Sequence, residues 1–176
     1  MKKTDFYIFL DIDGVLFDIK YIKDQIDGGK LKKGKIIKRF DPKCINALNK
    51  LIYELEKSYN VVLVISSSWR RFMEETEEML KINGLIYNNV LERTPISNNS
   101  SERALEILSY LSNKTKPYNL VIIDDSDFNY LNYFKSEQII KTNIIDCSLN
   151  NFMVEDFLKR LNINKNEHDQ TNELIN

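Results

Sequence analysis

Phe6-Tyr7-Ile8-Phe9-Leu10-Asp11-Ile12-Asp13-Gly14-Val15-Leu16 carries two carboxylates and a glycine to the point where an apolar run stops. The run from Phe6 to Leu10 holds no Gly or Pro and no polar alternation, which is the pattern of a strand buried on both faces in a parallel α/β sheet. Ligands of open α/β sheets sit at the carboxyl ends of such strands. Asp11 and Asp13 are therefore expected to face a ligand crevice. Paired carboxylates there suit a hard cation such as Mg2+ and leave one group free to attack or to move a proton. Gly14 lets the backbone approach a ligand closely. Taken alone, the same residues read equally well as an acidic turn after a strand.

Two further segments weigh against the bland reading. Val61-Val62-Leu63-Val64-Ile65 is a second buried-strand run, and it discharges into Ser66-Ser67-Ser68-Trp69-Arg70. Hydroxyls and backbone N–H groups there open a helix, and helix N-termini bind phosphate readily. Leu120-Val121-Ile122-Ile123 then runs into Asp124-Asp125-Ser126-Asp127. Three strand ends thus carry acid, hydroxyl and acid in chain order.

This ordered set resembles the haloacid dehalogenase (HAD) superfamily of phosphohydrolases, with the Asp11-Ile12-Asp13-Gly14-Val15 stretch as first motif, Ser66 as second and Asp124-Asp125 as fourth. The wording Ser66-Ser67-Ser68-Trp69-Arg70, the helix opened by Asp41-Pro42 and the Arg103-led helix before Asp124 are most similar to the HAD domain of "Swiss army knife" RNA repair proteins. The superfamily's third motif is usually a lysine, and no lysine begins a helix at the corresponding place. Arg103 is the substitute, with Arg93 and Lys116 as the other candidates.

The resemblance implies a Mg2+-dependent phosphomonoester hydrolase acting on nucleic-acid ends or nucleotides. Asp11 would be the nucleophile, ionised near neutrality by its low intrinsic pKa. Asp13 would protonate the leaving alkoxide and then activate water, with a pKa raised by its acidic surroundings, while its backbone carbonyl joins the metal shell. Asp125 is the expected distal metal ligand, and Asp124 a second or outer one. Ser66 and the N–H of Ser67 would hold phosphoryl oxygens, with Arg103 neutralising charge. Arg70 is read as a substrate contact or a helix-surface ion-pair residue, and Trp69 as core packing. Two other readings stay open: a phosphate- or nucleic-acid-binding module without turnover, and a small-molecule 5′-nucleotidase.

At 176 residues and 43% hydrophobic, the chain suits one core of a three-layer, Rossmann-like sheet of about five strands with helices on both faces. Residues 1–161 are expected to form the domain and 162–176 a polar tail without structure. The formal net charge of −1 gives no global attraction to nucleic acid. No apolar stretch approaches the ~18 residues that span a bilayer, and no signal peptide precedes the first strand, so no membrane partner and a cytoplasmic location are expected. Nothing in the sequence points to an obligate protein partner. Cys44 and Cys147 are too few for a disulfide framework or a zinc site. His168 is the only histidine, which excludes catalytic triads and two-histidine metal sites.

Between the strands, Asp41-Pro42 supplies an N-cap and first-turn proline for a helix carrying Ile45, Leu48, Leu51, Ile52 and Leu55. Ser68 is expected to cap the next helix, which ends at Asn83-Gly84. The third strand is expected within residues 85–91, a helix over 102–112, another near 128–135, the fifth strand within 138–145 and a last helix over 154–161. Residues 18–39 stand outside this alternation as a locally basic flap, which the resemblance implies is a hairpin over the active site. Lys32 and Lys33 are its candidate contacts to a polyanionic substrate, against the bland reading of a solvated charged surface. Only Tyr21 and Phe40 interleave with the lysines, so base-specific readout is not expected. With no room for a separate cap domain, the site should be open to bulky substrates.

Overall fold

The computed structural model describes residues 3–29, 40–97 and 102–173, with side chains through residue 162. Among these, the strands β1 (Thr4–Leu10), β2 (Tyr59–Ile65), β3 (Glu92–Arg93), β4 (Tyr118–Asp124) and β5 (Ile139–Lys141) form one sheet in the order β3-β2-β1-β4-β5. All of its pairings are parallel. The helices are α1 (Ile19–Asp27), α2 (Pro42–Glu56), α3 (Met73–Ile82), α4 (Arg103–Leu111) and α5 (Asn151–Glu173).

β1 is buried on both sides because its residues alternate between two cores. Phe6, Ile8 and Leu10 pack with Ile45, Leu48 and Ile52 of α2 and with Val154 and Phe157 of α5. Tyr7 and Phe9 point the other way, onto Ala104, Ile107 and Leu111 of α4. Burying each such large side chain stabilises the fold by about 1.5–3 kcal/mol, which explains the uninterrupted apolar run. The result is the expected three-layer α/β architecture. Its strand order reverses at β1, which pairs with β2 on one side and β4 on the other, and that reversal opens a crevice at the strands' carboxyl ends. No helix among the described residues is long and apolar enough to cross a membrane.

Five elements differ from their sequence-based expectation. β3 is two residues long and lies beyond residues 85–91, because a side chain satisfies the outer edge of β2 first: the Tyr87 hydroxyl accepts from Leu63 N at 3.0 Å and donates to Val61 O at 3.3 Å. The backbone ladder begins only where Glu92 pairs with Val64. The expected helix near 128–135 is replaced by a 3-10 turn at Tyr130–Asn132, since Phe128 and Asn129 take left-handed φ values of 38° and 54° that a right-handed helix cannot hold. Ser67, not Ser68, caps the turn after β2. Its hydroxyl accepts from Trp69 N over a 3-10 turn at Ser68–Arg71, and α3 follows at Met73 with no side-chain cap.

The last helix starts before residue 154 because Asn150 Oδ1 accepts from Met153 N, a cap that reads as loop polarity in the sequence. It also runs through Glu173, into the segment expected to lack structure; that segment holds no Gly or Pro to stop it. The described half of the flap is helical rather than a hairpin. Asp18 accepts from Tyr21 N as the N-cap of α1 and is itself held by the Ser148 hydroxyl at 2.9 Å. Lys32 and Lys33 lie outside the described residues.

Candidate active site

The site is built where β1, β2 and β4 end side by side. The ladder extends one residue past the strands on both sides of β1: Asp11 N donates to Ile123 O at 3.0 Å, and Ser66 N donates to Leu10 O at 2.9 Å. Asp11 and Ser66 are thereby set by backbone hydrogen bonds rather than by a free loop. The chain after β1 then closes a tight turn, with Val15 N and Leu16 N both donating to Ile12 O. Ile12, Val15 and Leu16 are buried in the core, which anchors the turn and leaves Asp11 and Asp13 to the crevice.

Gly14 adopts φ +72°, and a Cβ there would stand 2.6 Å from Cγ and Oδ2 of Asp125. The glycine is thus required by the close approach of the β1 and β4 turns. Carboxylate oxygens of Asp11, Asp124 and Asp125 all lie within 4.8 Å of one another. The side chain of Asp13 stands outside that cluster; both of its oxygens accept from Trp69 Nε1, at 3.2 and 3.1 Å.

Arg103, at the first turn of α4, bridges two of the clustered acids. Its Nη1 stands 2.9 Å from Asp11 Oδ1 and 3.1 Å from Asp124 Oδ2, while its guanidinium lies 4.4 Å from the centroid of the Phe128 ring. The other two candidates for this place are elsewhere. Arg93 donates to Arg70 O, and Lys116 lies with Lys3 and Asp5 at the opposite end of the sheet. Asp124 is fully buried and also accepts from the Tyr130 hydroxyl at 2.8 Å and from Ser126 N at 2.7 Å.

Arg70 is buried at 6% exposure, and of its two readings the structure shows the ion pair, made in the interior rather than on the helix surface. Its guanidinium donates to Ser66 O and Ser67 O at 3.2 and 2.7 Å and pairs with Glu106 at 2.6 Å. In a trans peptide the C=O and N–H point in opposite directions, so fixing both carbonyls turns the N–H groups of Ser67 and Ser68 away from Arg70. The Ser66 hydroxyl is fully buried and has no hydrogen-bond partner among the described residues. The Ser67 side chain lies near enough to Asp11 to favour its ionised form.

These surroundings shift both Asp11 and Asp13. Burial, reinforced by the Asp124 charge, pushes the Asp11 carboxyl up to about 7 despite the opposing pull of Arg103 and Ser67. Its ionisation is therefore not guaranteed by a low intrinsic pKa, and it needs more positive charge than Arg103 supplies. Three crowded carboxylates, two of them sharing one guanidinium, are the donor set that a hard divalent cation fits. Asp13 is also raised, chiefly by burial and only secondarily by Asp125, with the Trp69 N–H acting in the other direction.

Sequence reasoning placed Trp69 in core packing, where it lies partly buried, but missed its hydrogen bond to Asp13 and the roles of Tyr130, Phe128 and Glu106. Trp69 carried a signal as the chain's single tryptophan, placed three residues after Ser66 at the end of β2. The contacts of Tyr130 and Phe128 depend on a left-handed turn that no local pattern announces.

A parallel α/β sheet whose switch point gathers an Asp-X-Asp turn, a serine strand end, a basic helix start and an acidic pair defines a protein of the haloacid dehalogenase type. The family described as the HAD domain in Swiss Army Knife RNA repair proteins matches residues 7–149, and the chain belongs to that family. Among solved structures, a haloacid dehalogenase-like family hydrolase from Streptococcus pneumoniae aligns with a TM-score of 0.38 and 17% identity, over 88% of this chain and 90% of that one. No curated protein matches significantly.

Proposed function

We propose that this chain is a Mg2+-dependent phosphomonoester hydrolase that works through an aspartyl-phosphate on Asp11 and acts on nucleic-acid ends or nucleotides. The observation that carries the reading is the bridge from Arg103 to both Asp11 and Asp124, which aligns the nucleophile and brings positive charge to the position of the transferred group. Asp11, Asp124 and Asp125 would hold Mg2+, together with the Asp13 backbone carbonyl. The ion would supply charge neutralisation for the phosphate dianion and favour the ionised form of Asp11.

In the first step an Asp11 oxygen forms a bond to phosphorus as the bond to the leaving oxygen breaks, and Asp13 gives its proton to that alkoxide. In the second step Asp13 takes a proton from water, which attacks phosphorus and releases inorganic phosphate and the Asp11 carboxylate. Burial raises the Asp13 pKa above its ordinary value, the direction that a proton donor needs. The Ser66 hydroxyl, buried without a partner, and the N–H groups of Ser67 and Ser68 would accommodate the phosphoryl oxygens. The family's link to RNA repair and the basic residues 30–39, with Lys32 and Lys33, support a nucleic-acid substrate. Two unpaired cysteines fit a reducing, cytoplasmic setting.

The test is Mg2+-dependent phosphate release across 3′- and 5′-phosphorylated oligonucleotides, mononucleotides and phosphopeptides. Release from the nucleotide substrates is expected, with none from Asp11→Asn and a loss of about 10²-fold or more in kcat for Arg103→Ala. Activity insensitive to EDTA, or retained in Asp11→Asn, would overturn the mechanism.

A further inference from the structure

A cavity of about 710 Å3 opens directly beside Asp13, between α1, the Ser68–Arg71 turn and α3. Its volume lies in the range of small-molecule sites. Its walls are mostly carbon, from Phe17, Ile22, Trp69, Phe72 and Met79. We propose that this cavity is a leaving-group subsite that takes the planar base of a nucleotide or of a terminal nucleotide. The inference rests on the phosphatase reading above and adds what part of the substrate is recognised.

Three observations carry it. The first is position: a general acid must touch the leaving oxygen, so the group attached to that oxygen departs on the Asp13 side, where the cavity lies. The second is the kind of wall. Phe17 stacks on the buried Phe40 at 6.2 Å with an interplanar angle of 6°, and Phe40 packs against Trp69 at 5.7 Å. The Trp69 carbonyl accepts from the Thr76 hydroxyl, and its indole N–H is committed to Asp13. Phe17 and Trp69 are thus braced from behind as fixed aromatic walls, and Phe72 stands at the rim with 63% of its surface exposed. Rigid aromatic surfaces of this kind stack nucleobases with little dependence on sequence.

The third observation is charge. Among the described residues, the ionisable groups lining the cavity are Asp13, Glu75 and Arg71, two acids against one base. That balance disfavours a second phosphate or a polyanion in the cavity and suits a neutral, flat group whose edges meet Arg71 and Glu75. Because Trp69 both walls the cavity and holds Asp13, a base that stacks there also contacts the support of the general acid.

The chain's single tryptophan makes the test direct, since intrinsic tryptophan emission comes from this wall alone. Wild-type protein is titrated with adenosine, which has no phosphate to lose, and in parallel with ribose 5-phosphate and hexyl phosphate. Saturable quenching by adenosine, absent with the other two and weakened in Phe72→Ala, is the expected result. In kinetics, kcat/KM for adenosine monophosphate should exceed that for ribose 5-phosphate by about fivefold or more, the gain that one stacked base supplies. No quenching by adenosine, equal quenching by hexyl phosphate, or equal kcat/KM for the two esters would overturn the subsite. Adenosine quenching with no phosphate release from any ester would instead overturn the phosphatase reading and leave the base subsite standing.

Discussion

In the proposed mechanism Asp13 sits between two demands, a proton to give and an indole N–H that prefers its anion. Its replacement by Asn removes the proton while keeping the shape. We predict that Asp13→Asn lowers kcat severely for alkyl phosphates and much less for aryl phosphates, whose leaving groups need little protonation. Steady-state kinetics on the two ester classes checks this, and equal losses would argue against the general-acid role. Asp11, Asp13, Ser66 and Asp125 were legible because each follows directly from a strand end. For Arg70 the ion pair was one of two readings, but its burial and its partner Glu106, 36 positions away in the chain, leave no trace in local sequence. A residue outside the site gives a pH prediction. Burial pushes the Cys44 thiol up to about 12. The unfolded chain's thiol ionises near its usual ~8.5, so between these values the folded state keeps a proton that the unfolded state releases. The stability this contributes is present below pH ~8.5 and is lost as pH rises toward 12. Urea midpoints measured from pH 8 upward should therefore fall more steeply for wild type than for Cys44→Ala.

At the scale of elements, the two turns that frame the crevice are held by side chains far apart in the chain. The Arg70–Glu106 pair ties the Ser66–Ser67 turn to α4, the helix that presents Arg103, and Glu106 also accepts from Ser97 N at 2.7 Å. Breaking a buried pair strands a charge, so Glu106→Gln should cost about 3 kcal/mol or more in denaturant-measured stability. A cost within error of zero would show that the turn is held otherwise. Strands β1, β2 and β4 and helices α2 and α4 were readable because their apolar periodicity is local and their caps or breakers are explicit. β3 and the 128–135 segment were not. In the first a tyrosine hydroxyl does the work of a neighbouring strand, and in the second the left-handed turn includes Phe128, whose bulky side chain ordinarily avoids that conformation.

Across the whole molecule, the sheet's reversal at β1 brings residues separated by more than a hundred positions into one acidic cluster, at a cost in repulsion that the metal-free protein carries. Mg2+ should therefore raise the thermal midpoint of the wild type. Asp125 and Asp124 should respond differently in that assay. Asp125→Ala is expected to cancel the Mg2+ response while keeping a midpoint near that of the metal-free wild type. Asp124→Ala should lower the metal-free midpoint as well, because Arg103, Tyr130 and Ser126 all depend on it. Differential scanning fluorimetry with and without EDTA separates the two. The fold class and the crevice's acidic character were visible in the sequence at this scale, whereas the aromatic chamber beside Asp13 was not, since it is assembled from three separate segments.

The Tyr87 hydroxyl has a consequence for behaviour at high concentration. An outer strand with open donors and acceptors is a template on which another molecule can add a strand. By occupying Leu63 N and Val61 O, the phenol closes the stretch of β2 that the short β3 leaves uncovered. Tyr87→Phe keeps the ring in the core and reopens those two groups. The variant is expected to remain folded in dilute solution yet to self-associate as concentration rises, visible as growing scattering intensity under conditions in which the wild type stays dispersed.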